Sequence, residues 1–199
     1  MIFRLLFCPC PSKSSPIDPI PTFVLKKCLP VLALPVTNII NLSLSSVIFP
    51  HEMKLALITP LLKKQGLDPN VLSNYRPASI LSFPSKLLER VVAKQLISYL
   101  ESQSLLLSVQ SAYRAAHSTK TVLLKVLNDL LSSVENGNAF ILTLLDQSAA
   151  FDTIDHGILL DRLSAHFGVF GLALAWFTSY LDERRQSVSV GGVSSTPTP

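Results

Sequence analysis

Residues 144–156, LLDQSAAFDTIDH, set three aspartates behind an aliphatic run. The run itself, AFILTLL (139–145), is continuous rather than alternating. That pattern predicts a short strand buried on both faces, with Asp146 at its C-terminal end. A strand that delivers a carboxylate ahead of a turn and a helix can hold it over a cleft, and hard cations such as magnesium prefer such oxygen ligands. The same residue types have a structural reading. Asp152 and Asp155 also suit turn and N-cap positions, where carboxylate oxygens accept backbone N–H bonds. Spacing alone leaves both readings open.

Working outward, HGILLDRLSAHF (156–167) predicts a helix that Asp155 would cap, and a second helix covers about 172–181. SVSVGGVSS (187–195) predicts a hairpin turning at Gly191 and Gly192. Upstream, Leu123, Val126, Leu127, Leu130, Leu131 and Val134 keep helical spacing behind a capping Ser118 or Thr119, and Gly137 stands where such a helix stops. A further helix is expected over 85–101, with Leu88, Val91, Val92, Leu96 and Tyr99 near one face. KLALITPLLKK (54–64) reads as a strand, and GLDPNVLSNYRP (66–77) as loop. Residues 23–44 have loose helical spacing interrupted at Pro30 and Pro35, which predicts two short helices. Five prolines and three serines make 9–22 an extended segment. No internal repeat is present.

Composition bounds the possibilities. Of 199 residues 48% are hydrophobic and 15% charged, and the mean hydropathy is +0.42. That is apolar for a free-standing soluble domain, so the chain either spans a membrane or packs against something further. A span needs ~18 or more consecutive apolar residues. The best candidate, CLPVLALPVTNIINLSL (28–44), is broken by two prolines and by Thr37, Asn38 and Asn41. No membrane-spanning helix is expected. The start, MIFRLLFCPCPSKSS, is split by Arg4 and has no small-residue cleavage site, which argues against secretion. Cys8, Cys10 and Cys28 are too few for a disulfide framework and no His pair follows at zinc spacing, so reduced thiols in an intracellular protein are expected. A net charge of +4 suits a polyanion partner without requiring one.

Polar residues cluster on the expected loops. Lys63, Lys64 and Asn74-Tyr75-Arg76-Pro77 precede the 85–101 helix, and Gln110-Ser111-Ala112-Tyr113-Arg114 with His117 precedes the capped one. Cations on loops near a metal-binding carboxylate would neutralise triphosphate oxygens, and Arg grips them bidentately. Taken singly, each reads more readily as a solvated surface lysine or an arginine on a backbone carbonyl.

Taken in order, these segments resemble the reverse transcriptase of non-LTR (LINE-type) retrotransposons of the jockey-like and chicken-repeat-like branch. The likeness runs from about Pro11 to Pro199. IDPIPTFVLKKCLP and INLSLSSVIFP resemble the approach to the fingers; ITPLLKK, NYRPASILSFPSKLLERVV and QSAYRAAHST resemble fingers motifs; LLDQSAAFDTIDHGILLDRL resembles the first palm motif. The fold implied is α+β and helix-rich, a partial right-hand polymerase. An N-terminal extension and helical approach would occupy 1–50, fingers 51–137, and the N-terminal part of a palm 138–199.

The resemblance also implies roles. Asp146 matches the catalytic palm aspartate that binds both magnesium ions, and the backbone carbonyl of Gln147 would be a further metal ligand. Phe151 matches the aromatic position that crowds the sugar 2′-hydroxyl. Lys63 or Lys64, Arg76 and Arg114 match nucleotide-binding fingers residues, whereas Asp152, Asp155 and His156 match positions that look structural. RNA template, DNA primer and deoxynucleotides would be the partners, in the nucleus or cytoplasm, with two Mg2+ ions ~3.5–4 Å apart supporting nucleotidyl transfer. The sequence departs from the family's pattern, with Gln147 in place of a usual aliphatic residue and in two larger respects. The downstream tyrosine-alanine-aspartate-aspartate turn is missing, so the metal ligand set is incomplete and the chain is expected to be a truncated piece, inactive alone. AYRAAHST also stands where the family shows glycine-phenylalanine-arginine-proline-glycine, and loss of glycine strains a backbone that needs positive φ. The alternatives are a non-catalytic nucleic-acid-binding remnant and an unstable product of a decayed element.

Overall fold

The structure, a computed structural model, describes residues 16–147 and 150–198. The signal-like start and Cys8 and Cys10 lie outside them. Among the described residues there are six helices and a four-stranded sheet: α1 (Thr22–Lys27), α2 (Leu29–Ser46), β1 (Leu55–Leu62), β2 (Tyr75–Ile80), α3 (Phe83–Ser102), α4 (Thr119–Glu135), α5 (His156–Ala165), α6 (Gly171–Leu181), β3 (Arg185–Val190) and β4 (Val193–Ser194). The chain divides into two compact units, one of residues 1–97 and 156–199, the other of 98–155.

In the first unit the sheet order is β2-β1-β3-β4. β1 pairs antiparallel with β2 and parallel with β3, and β3 pairs antiparallel with β4. The predicted hairpin is present, and Gly191 (φ 59°) and Gly192 (φ 86°) supply the two positive-φ residues that such a tight turn needs. The expected loop over 66–77 is corrected in part, because Tyr75, Arg76 and Pro77 already belong to β2. Pro77 donates no ladder hydrogen bond, and the edge position of β2 is where a sheet tolerates this.

Helix prediction held except at one proline. The chain breaks at Cys28, between α1 and α2, and Pro30 falls in the first turn of α2, where its missing N–H is not required. Pro35, however, lies inside α2 and does not end it. The helix continues for 18 residues, and packing of its later turns outweighs the lost bond. Ile40 of α2, Phe49, Phe83, Leu87 and Leu88 of α3 and Trp176 of α6 form the core. Each such side chain taken from water contributes about 1.5–3 kcal/mol. Phe49 meets Trp176 and Tyr180 edge-on, with ring centroids 5.7 and 5.0 Å away. One hydroxyl closes the polar account here: Ser43 Oγ accepts from Trp176 Nε1 at 3.1 Å and donates to the Ile48 carbonyl at 2.6 Å. Of the face expected on α3, Leu88 is buried and Val91 and Val92 pack on the core, but Tyr99 is exposed beyond it.

In the second unit α4 runs as expected, with Ser118 as N-cap. The strand expected over 139–145 is not formed; these residues have no regular structure, and Ile141 and Leu145 are 94% and 91% exposed. A strand exists only through hydrogen bonds to a neighbour, and no described strand pairs with this run. Among the described residues of 98–155 no side chain is buried.

Candidate functional site

The β1–β2 hairpin carries the first group of predicted residues. Register sets Arg76 opposite Leu61 and Tyr75 opposite Leu62, which brings Arg76 to the end of the hairpin where Lys63 and Lys64 leave β1. The loop between the strands is tied to itself. Asp68 Oδ1 accepts from the Asn70 backbone N–H at 2.9 Å, Asn74 Nδ2 donates to the Asp68 carbonyl at 2.9 Å, and the Tyr75 hydroxyl donates to the Pro69 carbonyl at 3.0 Å. Lys63 Nζ donates to the Ser73 carbonyl at 2.8 Å, so its ammonium is engaged in holding this loop. Lys64 and Arg76 are exposed.

The second unit carries the rest. Arg114 Nη1 donates to the carbonyls of Leu107 (3.1 Å) and Gln110 (3.3 Å), which folds the loop ahead of α4 around the guanidinium. The same loop holds Tyr113 and Ala116 at φ 60°. Ala116 stands where the motif resembled has its second glycine, and its left-handed backbone is the conformation in which an alanine is strained. The Ser118 and Thr121 side chains then exchange bonds with each other's backbone N–H, at 3.3 and 2.9 Å, closing the first turn of α4.

Asp146 and Gln147 are exposed and follow the unpaired 139–145 run. Phe151 is 72% exposed, in a turn whose carbonyl accepts from the Ile154 N–H at 3.5 Å. Asp152 lies in that turn, and Asp155 directly precedes α5. Lys63, Lys64 and Arg76 thus share one hairpin end, while Arg114, Asp146, Gln147 and Phe151 belong to the other unit. Among the described residues no three His, Cys, Asp or Glu side chains group so as to hold a metal ion. One carboxylate with a neighbouring carbonyl does not fit a pair of magnesium ions, each of which wants near-octahedral oxygen coordination.

Sequence reasoning missed a cluster in the first unit. Glu89 Oε1 accepts from the Tyr180 hydroxyl at 3.0 Å and from Arg184 Nη2 at 3.3 Å. The Arg184 guanidinium lies 4.0 Å from the Tyr180 ring centroid and 5.0 Å from that of Phe49. Burial, and then the negative charge of Glu89, push the Tyr180 phenol up to about 12, with Arg184 opposing. The three residues tie α3 to α6 and the start of β3. Partners 91 and 95 positions apart leave no local signal.

Comparison with known proteins places these residues in context. The model of the family described as "Reverse transcriptase (RNA-dependent DNA polymerase)" matches residues 62–196. Three Drosophila melanogaster proteins are similar to the chain. The probable RNA-directed DNA polymerase from transposon X-element is 32% identical over 165 residues, covering 81% of this chain and 17% of that protein. That from transposon BS is 31% identical over 191 residues, 94% of this chain and 20% of the relative. The RNA-directed DNA polymerase from mobile element jockey is 30% identical over 151 residues, 76% and 16% respectively. The chain therefore spans a fifth or less of the length of these relatives. No helix among the described residues is long and apolar enough to cross a membrane.

Proposed function

The chain belongs to the reverse transcriptase (RNA-dependent DNA polymerase) family, and from that premise we propose that it carries the fingers (51–137) and the first part of the palm (138–199) of a retrotransposon polymerase, preceded by a helical approach (1–50). The observation that supports this most is the continuous family match over 62–196, which takes in the basic hairpin end, the Arg114 loop and Asp146 in order. The partners proposed are an RNA template, a DNA primer and deoxynucleotides inside the cell, in nucleus or cytoplasm.

The residue roles follow from the family motifs that these positions resemble. In a site completed by further carboxylates, Asp146 would be the catalytic carboxylate and the adjacent Gln147 carbonyl a further oxygen ligand for magnesium. Phe151 is the residue that excludes the sugar 2′-hydroxyl. Lys64 and Arg76, exposed on the hairpin, contact triphosphate oxygens; Lys63 contributes chiefly by holding the loop through Ser73. Arg114, already engaged by two carbonyls, shapes its loop and presents the remaining guanidinium edge. With a single carboxylate in the set, no catalytic step is assigned to this chain alone.

The test is primer extension on an RNA template with magnesium and deoxynucleotides, set beside binding of an RNA–DNA hybrid at several salt concentrations. The expected outcome is no extension by the chain or by Asp146→Asn, together with binding that weakens steeply with salt as phosphate contacts are screened. Extension that Asp146→Asn abolishes would show that a full ligand set assembles and that the inactivity is wrong. Absence of hybrid binding at low salt would remove the nucleic-acid role.

A further inference from the structure

Three basic residues adjoin where β1 and β3 begin side by side. His51–Met53 form a single 3-10 turn ahead of β1, closed by the Lys54 N–H on the His51 carbonyl at 3.1 Å. Side chains three positions apart in such a turn eclipse one another, so His51 and Lys54 project from the same side of it. β3 runs parallel to β1 with Arg185 opposite Leu55, and the Arg185 N–H donates to the Lys54 carbonyl at 3.3 Å. The Arg185 guanidinium reaches the same turn, with Nη2 3.5 Å from His51 Nδ1. A guanidinium has donors alone, so Nδ1 is the acceptor and His51 keeps its proton on Nε2.

This group lacks a counter-charge. Lys54 is 6% exposed, yet among the described residues no carboxylate or other acceptor bonds its ammonium. Arg185 Nε is likewise buried without a partner. Buried cations are ordinarily paired, because an unpaired charge taken from water is costly. Glu52, the acid of the same turn, stands a third of a turn round from both His51 and Lys54, is exposed, and pairs with neither. Charge then selects the occupant. Lys54 and Arg185 present two positive charges, and a phosphate monoester carries about −1.5 to −2 at pH 7 with three acceptor oxygens. A carboxylate or a phosphodiester brings a single charge and leaves one buried cation uncompensated.

We propose that His51, Lys54 and Arg185 form a binding site for a phosphate dianion, the chemistry shared by inorganic phosphate and by the terminal phosphate of a nucleic-acid end. Lys54 and Arg185 are its charged ligands. The His51 Nε2–H supplies a third donor and, since His51 is exposed, marks the side on which the site opens. All three residues belong to the first unit. The site uses none of the residues assigned to polymerase chemistry and does not rest on that reading.

Calorimetric titration and thermal unfolding of the full chain with inorganic phosphate, set against acetate and chloride at equal ionic strength, test the site. Saturable binding of one phosphate per chain is expected, with a rise in Tm that acetate does not give. Lys54→Met, which keeps a buried apolar stem and removes the charge, and Arg185→Gln each weaken phosphate binding about tenfold, and Lys54→Met also removes the phosphate-dependent rise in Tm. Lys94→Gln, at an exposed lysine of α3, changes neither. Circular dichroism checks the fold of each variant, and His51→Ala, at an exposed position, weakens binding severalfold even where a buried variant unfolds. Tighter binding of a 5′-phosphorylated than of a 5′-hydroxyl oligonucleotide, lost in Lys54→Met, identifies a nucleic-acid end as the source; inorganic phosphate bound without that gain identifies the free ion. Phosphate bound no more tightly than acetate overturns the proposal, as does phosphate binding that the folded variants at positions 51, 54 and 185 leave unchanged.

Discussion

At the scale of single residues, the structure separates two alanines that the sequence leaves alike. The motif that this stretch resembles has glycine at the positions of both Ala112 and Ala116, but of the two only Ala116 takes a left-handed backbone, with φ 60°. An L-residue with a Cβ is strained there by about 1–2 kcal/mol, and part of what glycine regains is offset by its freedom in the unfolded chain. Ala116→Gly is therefore expected to stabilise the loop by up to about 1 kcal/mol, read as a rise in Tm, while Ala112→Gly gives no gain. Tyr180 makes a second case. The folded protein holds its phenol proton up to about 12, against 10.0 for an ordinary tyrosine, because the ring is buried and Glu89 lies beside it. A proton held more tightly when folded adds stability that is complete below pH 10 and is lost as pH rises through 12. Phenolate absorbance should show one of the four tyrosines titrating late, and Tyr180→Phe should remove that late phase.

At the scale of elements, local pattern served where the neighbours are local. α4 was legible because its cap, its apolar spacing and its stop at Gly137 lie within one stretch, and the β3–β4 hairpin because Gly191-Gly192 dictates its turn. The start of α3 was not. Both carboxylate oxygens of Asp18 accept from the Phe83 N–H, at 2.9 and 3.0 Å, across 65 positions of sequence. Asp18→Ala should cost about 1 kcal/mol, since it removes a capping anion at the positive end of a helix; a lower urea midpoint with an unchanged slope would show it. Pro77 hid β2 because proline argues against a strand until the strand is known to lie at an edge. The 139–145 run shows the converse: an apolar run satisfies the pattern of a buried strand, yet pairing needs a neighbour that pattern does not specify.

At the scale of the whole molecule, burial is uneven. The buried core lies in the first unit, built from α2, α3, α6 and Phe49, while the second unit has large exposed apolar side chains on α4 and along 140–145. The high mean hydropathy of +0.42 pointed to surfaces that pack on something further, and the exposed apolar side chains of α4 and of 140–145 are such surfaces. The candidate site divides in the same way. Its basic hairpin end belongs to the unit with the core, and its carboxylate to the unit without one.

By itself the sequence determined the family, through linked motifs in a fixed order, and most of the helices, because caps, turn glycines and 3.6-residue spacing act within a few residues of one another. It also identified Asp146 and the basic loop residues as the positions with chemistry to offer. Tertiary structure alone decided that Lys63 is engaged on Ser73 whereas Lys64 and Arg76 are exposed, that Glu89, Tyr180 and Arg184 share one cluster, and that the run ahead of Asp146 is unpaired. The reason is common to all three. A hydrogen bond, an ion pair or a strand ladder depends on which distant groups approach within about 3 Å, and the identity of those groups is written in the path of the whole chain rather than in the residues beside each partner.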